Sequence, residues 1–266
     1  GEVARCVGWL REAGVASTNL DLMYGLPHQT TANTLATLDQ LLALRPERVA
    51  LFGYAHVPWM KAHQALIDEK ALPGAAERLD QSEAAAERLT AEGYVRIGID
   101  HFALPTDEMA VAHAAGTLRR NFQGYTTDGA QTLIGLGASA ISSLPQGFVQ
   151  NITQELTWRA AIARNEMPTA RGVAVTEDDC FRADIIESLM CNLSVDLNTV
   201  CRTHGRTVGG LSAELERLAP FVEDGLLTID SGRLQVRERG RLVVRSMCAV
   251  FDRYFEPEGG RHSKAL

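Results

Sequence analysis

Asn19-Leu20-Asp21-Leu22-Met23-Tyr24-Gly25-Leu26-Pro27 is the stretch whose reading decides the fold. Its apolar run stops at a Gly and a Pro, so it reads as a buried β-strand ended by a turn. It also carries one carboxylate, and an ionised group is costly to bury unless something pairs with it. Ligands of α/β proteins gather at the carboxyl ends of parallel strands. Asp21 is therefore a candidate ligand-binding residue, and the plainer alternative is an Asp paired with a neighbouring Arg.

Working outward, Val3, Cys6, Val7 and Leu10 fall on one face of a helix that Gly14 ends. Thr30 or Thr31 caps a second helix carrying Leu35, Leu38, Leu41 and Leu42. A second strand is predicted from Arg48 to His56, a long helix from Ala75 to Glu92, and a third strand from Val95 to Phe102. Alternating strands and helices predict a parallel sheet with right-handed crossovers. Leu133 to Ser142 adds a further strand with a loop of small residues, Leu136-Gly137-Ala138-Ser139. So few strands cannot close a barrel, because closure ties strand number to tilt and stagger. The sheet is then either small and open or one part of a barrel, with Asn19–Met23 or its neighbour at the edge.

Composition shifts near residue 170, dividing the chain into 1–170 and a helical domain of 171–266. Thr176 with Glu177, Asp178 and Asp179 marks a helix start, and Phe181, Ile185, Ile186, Leu189, Met190 and Leu193 give that helix its apolar face. Leu211, Leu215, Leu218, Phe221 and Val222 predict another helix. Leu226–Ile229 and Leu234–Val236, joined through Ser231-Gly232, predict a small β-wing. A last helix carries Leu242, Val243, Met247, Val250, Phe251 and Tyr254, which makes the domain winged-helix-like.

The net charge of −7 argues against wholesale binding to nucleic acid. No apolar run is long enough to span a membrane, and no signal peptide is recognisable. Five widely spaced cysteines (Cys6, Cys180, Cys191, Cys201, Cys248) fit buried thiols of a cytoplasmic protein, and their spacing matches neither a zinc site nor an iron–sulfur loop. His56 and His101, the latter next to Asp100, sit at predicted strand ends. They are acid–base or metal-ligand candidates, or else hydrogen-bonded structural groups. Arg119-Arg120-Asn121-Phe122-Gln123-Gly124-Tyr125-Thr126-Thr127 mixes cations, amides and rings, which suits a flat anionic ligand or an ordinary surface loop. Arg233, Arg237, Arg239, Arg241 and Arg245 form either an anion-contact surface or a solvated helix face.

Asp21–Pro27, Tyr54-Ala55-His56, Asp100-His101-Phe102-Ala103, Arg120–Thr127 and Gly137-Ala138-Ser139-Ala140-Ile141-Ser142 occur in an order that resembles the oxygen-independent coproporphyrinogen III oxidases, radical S-adenosylmethionine enzymes of haem biosynthesis. The resemblance continues through Cys191-Asn192 and Arg241-Leu242 and so covers almost the whole chain. It implies the C-terminal part of a partial (β/α)6-type radical SAM barrel, followed by a mostly helical domain. It also implies oxidative decarboxylation of two porphyrinogen propionates to vinyls by a 5′-deoxyadenosyl radical, with a 4Fe–4S cluster and two S-adenosylmethionine molecules. By motif position, Asp21 and Ala55 would line the pocket of the second S-adenosylmethionine, and Ile141 would touch the first. The family's C-x-x-x-C-x-x-C cluster loop is expected upstream of residue 1, in a missing N-terminal part of the same enzyme, so this chain alone is expected to be inactive. A haem-binding chaperone of the same family is the alternative, and a nucleic-acid-binding module is a third reading.

Overall fold

The computed structural model describes residues 1–255, so residues 256–266 of the expected C-terminal domain lie outside the described residues. Contacts divide the chain into two units. Residues 1–117 with 241–245 and 253–255 form the first, and residues 118–240 with 246–252 form the second. A division at residue 170 would cut through a paired strand of the second unit, Thr169–Ala174.

The first unit starts with α1 (Glu2–Glu12), of which only Val7 is buried, so the rest of the predicted apolar face is exposed. Strand β1 (Asn19–Tyr24) pairs in parallel with β2 (Arg48–Gly53), with Asp21 opposite Ala50 and Tyr24 opposite Gly53. Helix α2 (Thr31–Leu42) connects them, capped by Thr30 with Asn33 in a capping box. After two short 3₁₀ turns comes α3 (Ala75–Ala91). Leu22, Tyr24, Val49 and Leu51 pack with Leu38, Leu41, Ala85, Ala86 and Leu89 of the helices, forming a core between the sheet and one helical layer.

Two expectations fail here. First, β1 is not buried on both faces. It alternates, with Leu22 and Tyr24 inward and Asn19, Asp21 and Met23 exposed, because helices cover one face and successive side chains point to opposite sides. Second, the predicted third strand is a hairpin. Gly98, at φ 54°, turns the chain so that β3 (Val95–Ile97) and β4 (His101–Ala103) pair antiparallel. β4 then runs antiparallel to β2, giving a mixed sheet of order β1-β2-β4-β3 with β1 at its edge. Helix α4 (Glu108–Ala114) follows, capped by Asp107.

The second unit opens with the hairpin β5 (Arg119–Asn121) and β6 (Gly124–Thr126). An antiparallel sheet follows, of β7 (Ile141–Leu144), β8 (Gly147–Asn151) and β9 (Thr169–Ala174), with α5 (Glu155–Ala163) between the last two strands. The strand expected at Leu133–Ser142 is thus mostly loop, since Leu133 makes only an isolated bridge to Ser143. Helix α6 (Glu177–Asn192) has the predicted Thr176 cap and buries Phe181, Ile185 and Leu189. Strand β10 (Ser194–Asp196), α7 (Leu197–Thr203), α8 (Ser212–Arg217) and α9 (Ala219–Glu223) lead to the wing, β11 (Leu227–Asp230) and β12 (Arg233–Val236). Its turn holds Ser231 at φ 50° and Gly232 at φ 82°, as a type I′ hairpin needs. β10 adds a third strand to the wing. The single helix expected around Leu211–Val222 is broken, because Pro220 starts a new helix, α9. The last predicted helix is a 3₁₀ turn over Glu238–Val243 followed by α10 (Val244–Ala249).

One carboxylate ties the base of the first sheet together. Glu47 accepts hydrogen bonds from the Thr18 N–H (2.7 Å) and hydroxyl (2.8 Å), and Arg11 lies 3.9 Å away. Burial pushes its carboxyl up, but the Thr18 bonds and the Arg11 charge prevail and hold it below the ordinary 4.5. Its contribution is therefore complete above that value and lost as pH falls through the lowered one. Glu47→Gln should cost about 1 kcal/mol at neutral pH and flatten the acid limb of the stability profile. Urea unfolding measured from pH 7 down to pH 3 checks both.

Candidate functional site

In the first unit the carboxyl ends of β1 and β2 lie side by side, and the Tyr54 N–H donates to the Tyr24 carbonyl at 2.7 Å. The turn after β1 is fixed from α3. Gln81, itself buried, accepts from the Gly25 N–H (2.9 Å) and donates to the Gln29 carbonyl (2.8 Å). Gly25 sits at φ 82°, a backbone state that side chains resist. Asp21 is exposed on the face of β1 away from the helices, where Asn19 Nδ2 donates to it at 2.7 Å. A carboxylate presented in this way has acceptor capacity left for the hydroxyl or ammonium donors of a ligand.

Ala55 lies just beyond the end of β2 and is exposed. Gln64 clamps its neighbourhood, donating to the Ala55 carbonyl (3.1 Å) and accepting from the Val57 N–H (2.6 Å). The register sets Asp21 opposite Ala50, so Ala55 lies five residues further along the chain, past the end of β2. His56 is turned inward. Its Nδ1 is 3.3 Å from the Tyr54 hydroxyl, and its Nε2 is 3.3 Å from Glu69 but outside hydrogen-bond geometry. His101 pairs through Nδ1 with Asp100 at 2.7 Å, and the edge of its ring meets Phe52 at 5.9 Å. Asp21, Ala50 and His101 occupy one row across three strands, so they share a face of the sheet.

The second unit holds the remaining candidates. Ile141 is half-buried at the start of β7. The small-residue loop before it is held by Asn151, whose Nδ2 donates to the carbonyls of Gly135 (3.2 Å) and Gly137 (2.9 Å). The β5–β6 hairpin is anchored on α6, where Glu187 receives Arg119 (3.1 Å) and the Arg120 N–H (3.0 Å). The Tyr125 hydroxyl donates to the Met190 carbonyl at 3.1 Å. The tip of the hairpin presents Phe122, 56% exposed, edge-on to Phe148 at 5.2 Å. Phe148 was missed in the sequence because its neighbours lack the ring–amide mixture that marks the hairpin.

The arginines around the wing do not make one surface. Arg241 is buried and donates to the Gly98 carbonyl at 2.6 Å, while Arg245 lies 3.5 Å from Asp100. The thiols also divide, since Cys6 and Cys180 are exposed whereas Cys191, Cys201 and Cys248 are buried. Burial pushes Cys191 and Cys248 up to about 12, so both are neutral at physiological pH. Among the described residues no cluster of three or more His, Cys, Asp or Glu is placed to hold a metal ion, so the donors present do not fit a 4Fe–4S cluster.

The HemN C-terminal domain family model matches residues 175–243. An oxygen-independent coproporphyrinogen III oxidase of Bradyrhizobium diazoefficiens is 48% identical over 265 residues, covering 100% of this chain and 59% of that protein. One from Thermostichus vulcanus is 41% identical over 261 residues and is covered to 80% of its length. The chain belongs to the oxygen-independent coproporphyrinogen III oxidase family. Among solved structures it matches coproporphyrinogen III oxidase (HemN) from Escherichia coli, described as a radical SAM enzyme. The TM-score is 0.89 at 39% identity, covering 95% of this chain and 58% of that one. The two units therefore have the fold of the corresponding part of that enzyme. The chain spans a little under three-fifths of the Bradyrhizobium relative and of the solved structure.

The loop before Ile141 has no room for a side chain at Gly135, where an added Cβ would lie 2.7 Å from the Ile141 carbonyl oxygen. Gly135→Ala should destabilise the second unit by about 1–3 kcal/mol through that overpacking. The midpoint of urea unfolding tests this, and an unchanged midpoint would show that the loop yields.

Proposed function

We propose that this chain is part of an oxygen-independent coproporphyrinogen III oxidase, which converts two propionates of coproporphyrinogen III to the vinyls of protoporphyrinogen IX. The observation that carries this reading is 48% identity across all of the chain to a protein of that name. When bound, S-adenosylmethionine and the 4Fe–4S cluster supply a 5′-deoxyadenosyl radical that takes a hydrogen atom from the propionate chain. The cluster would be held by a further part of the same enzyme, because the cysteines of this chain do not fit it. The free thiols carry with them a reducing compartment, the cytoplasm.

The residues of this chain bind and orient. Asp21 accepts hydrogen bonds from the donors of a second S-adenosylmethionine, and Ala55, past the end of the next strand, offers it a wall. Ile141 gives apolar contact to the first molecule. Phe122 and Phe148 offer ring surface to a tetrapyrrole, with Arg119 and Arg120 in the same hairpin as Phe122.

Full-length enzyme reconstituted with iron and sulfide should form 5′-deoxyadenosine and protoporphyrinogen IX from coproporphyrinogen III. S-adenosylmethionine cleavage without any porphyrinogen decarboxylation would refute the reading. Asp21→Asn should weaken S-adenosylmethionine binding about 10-fold, the loss expected when a charged acceptor becomes neutral. Equilibrium dialysis measures it. Phe122→Ala should raise KM for the porphyrinogen more than it lowers kcat, since it removes binding surface rather than reacting groups.

A further inference from the structure

Arg78, in the first turn of α3, reaches the carboxyl ends of both parallel strands. A Cβ added at Gly25 would lie 3.3 Å from its Cζ, and one added at Gly53 would lie 3.0 Å from its Nη2. The guanidinium therefore lies across two glycines that end adjacent strands, in a space that side chains would fill. The Tyr24 hydroxyl closes one side, 3.1 Å from the same Gly53 position. Arg78 Nε is buried and has no hydrogen-bond partner. Among the described residues no carboxylate pairs with Arg78, whereas Arg48 meets Asp107, Arg119 meets Glu187 and Arg241 meets the Gly98 carbonyl.

A charged guanidinium with a buried, unsatisfied N–H is costly to keep unless something completes it. The two Nη groups are not among the buried unpartnered atoms, so they are the part of the guanidinium that an incoming two-oxygen acceptor such as a carboxylate can meet. The place agrees with the chemistry. Ligands sit at the carboxyl ends of parallel strands, and the start of α3 adds its positive dipole end there.

We propose that Arg78 is a ligand-carboxylate receptor, laid across the glycine ends of β1 and β2. The assignment rests on the functional reading above and deepens it by naming the ligand group met at this edge of the sheet. Two molecules of that reading offer the group. The methionine part of S-adenosylmethionine carries one carboxylate, and the porphyrinogen carries propionates.

The test follows the Arg78 Nε–H signal of the 15N-arginine-labelled 266-residue chain, identified by its loss in Arg78→Lys. It is titrated separately with S-adenosylmethionine, with 5′-methylthioadenosine (which has no carboxylate) and with coproporphyrin III. A saturable shift with S-adenosylmethionine and none with methylthioadenosine assigns the methionine carboxylate. A shift with coproporphyrin III alone assigns a propionate, and upholds the receptor even if the S-adenosylmethionine role of this chain fails. Arg78→Gln should weaken the active carboxylate ligand at least about 10-fold and change methylthioadenosine affinity by less than about twofold. Gly53→Ala, which displaces the guanidinium without removing it, should weaken the same ligand. An Arg78 signal that stays unmoved by every carboxylate overturns the proposal, including the case in which S-adenosylmethionine moves other arginines.

Discussion

The parallel pairing of β1 with β2 is the constraint on which the first unit depends. Its register, from Asn19 opposite Arg48 to Tyr24 opposite Gly53, fixes two things together. It puts Leu22, Tyr24, Val49 and Leu51 on one face, where α2 and α3 bury them. It puts Asp21 on the other face, in one row with Ala50 and His101. A slip of β1 by one residue would exchange its faces, placing the Asp21 carboxylate in the apolar core and Leu22 and Tyr24 in water. The hydrophobic pattern that makes the fold stable thus also presents the candidate ligand group, and neither can change without the other.

The sequence carried the elements clearly at α2, β2 and α3, where period and punctuation agree, and at β1 it carried the strand and its end but not which face is open. It failed at Val95–Ala103, because the alternation of Val95, Ile97 and Ile99 reads as one strand whether or not the chain turns between them. The difference lies in Gly98, whose positive φ turns the chain, and an isolated Gly in such a run does not announce its dihedral. The break at Pro220 was more open to reading, since a proline inside a helical pattern starts a new helix more readily than it continues an old one.

The candidate site was legible unevenly, for a related reason. Asp21 stood out because a charge interrupts an apolar strand. Ala55 and Ile141 carried no such mark and entered only through resemblance. Ala55 is set by backbone contacts, with Gln64 clamping its carbonyl. The loop before Ile141 is likewise set by Asn151, fourteen to sixteen residues from the carbonyls it holds. Side chains that bond to distant carbonyls leave no local period, so sequence spacing does not report them.

The arginines show how context decides the meaning of one residue type. Arg48 meets Asp107 at 2.7 Å, and Asp107 also accepts from Ser17 and caps α4. Burial alone would lower the guanidinium's proton affinity, but the bonds to Asp107 and Glu108 raise it, so the charge persists. Arg182 is held in the same way between Asp178 and Glu214. Both arginines are completed by the fold and have no remaining task that requires a ligand. Arg78 differs in having its space made by glycines rather than its charge met by carboxylates. That contrast is the reason for proposing a ligand carboxylate as its counter-charge. The strand ends are where a sheet of this kind receives such molecules.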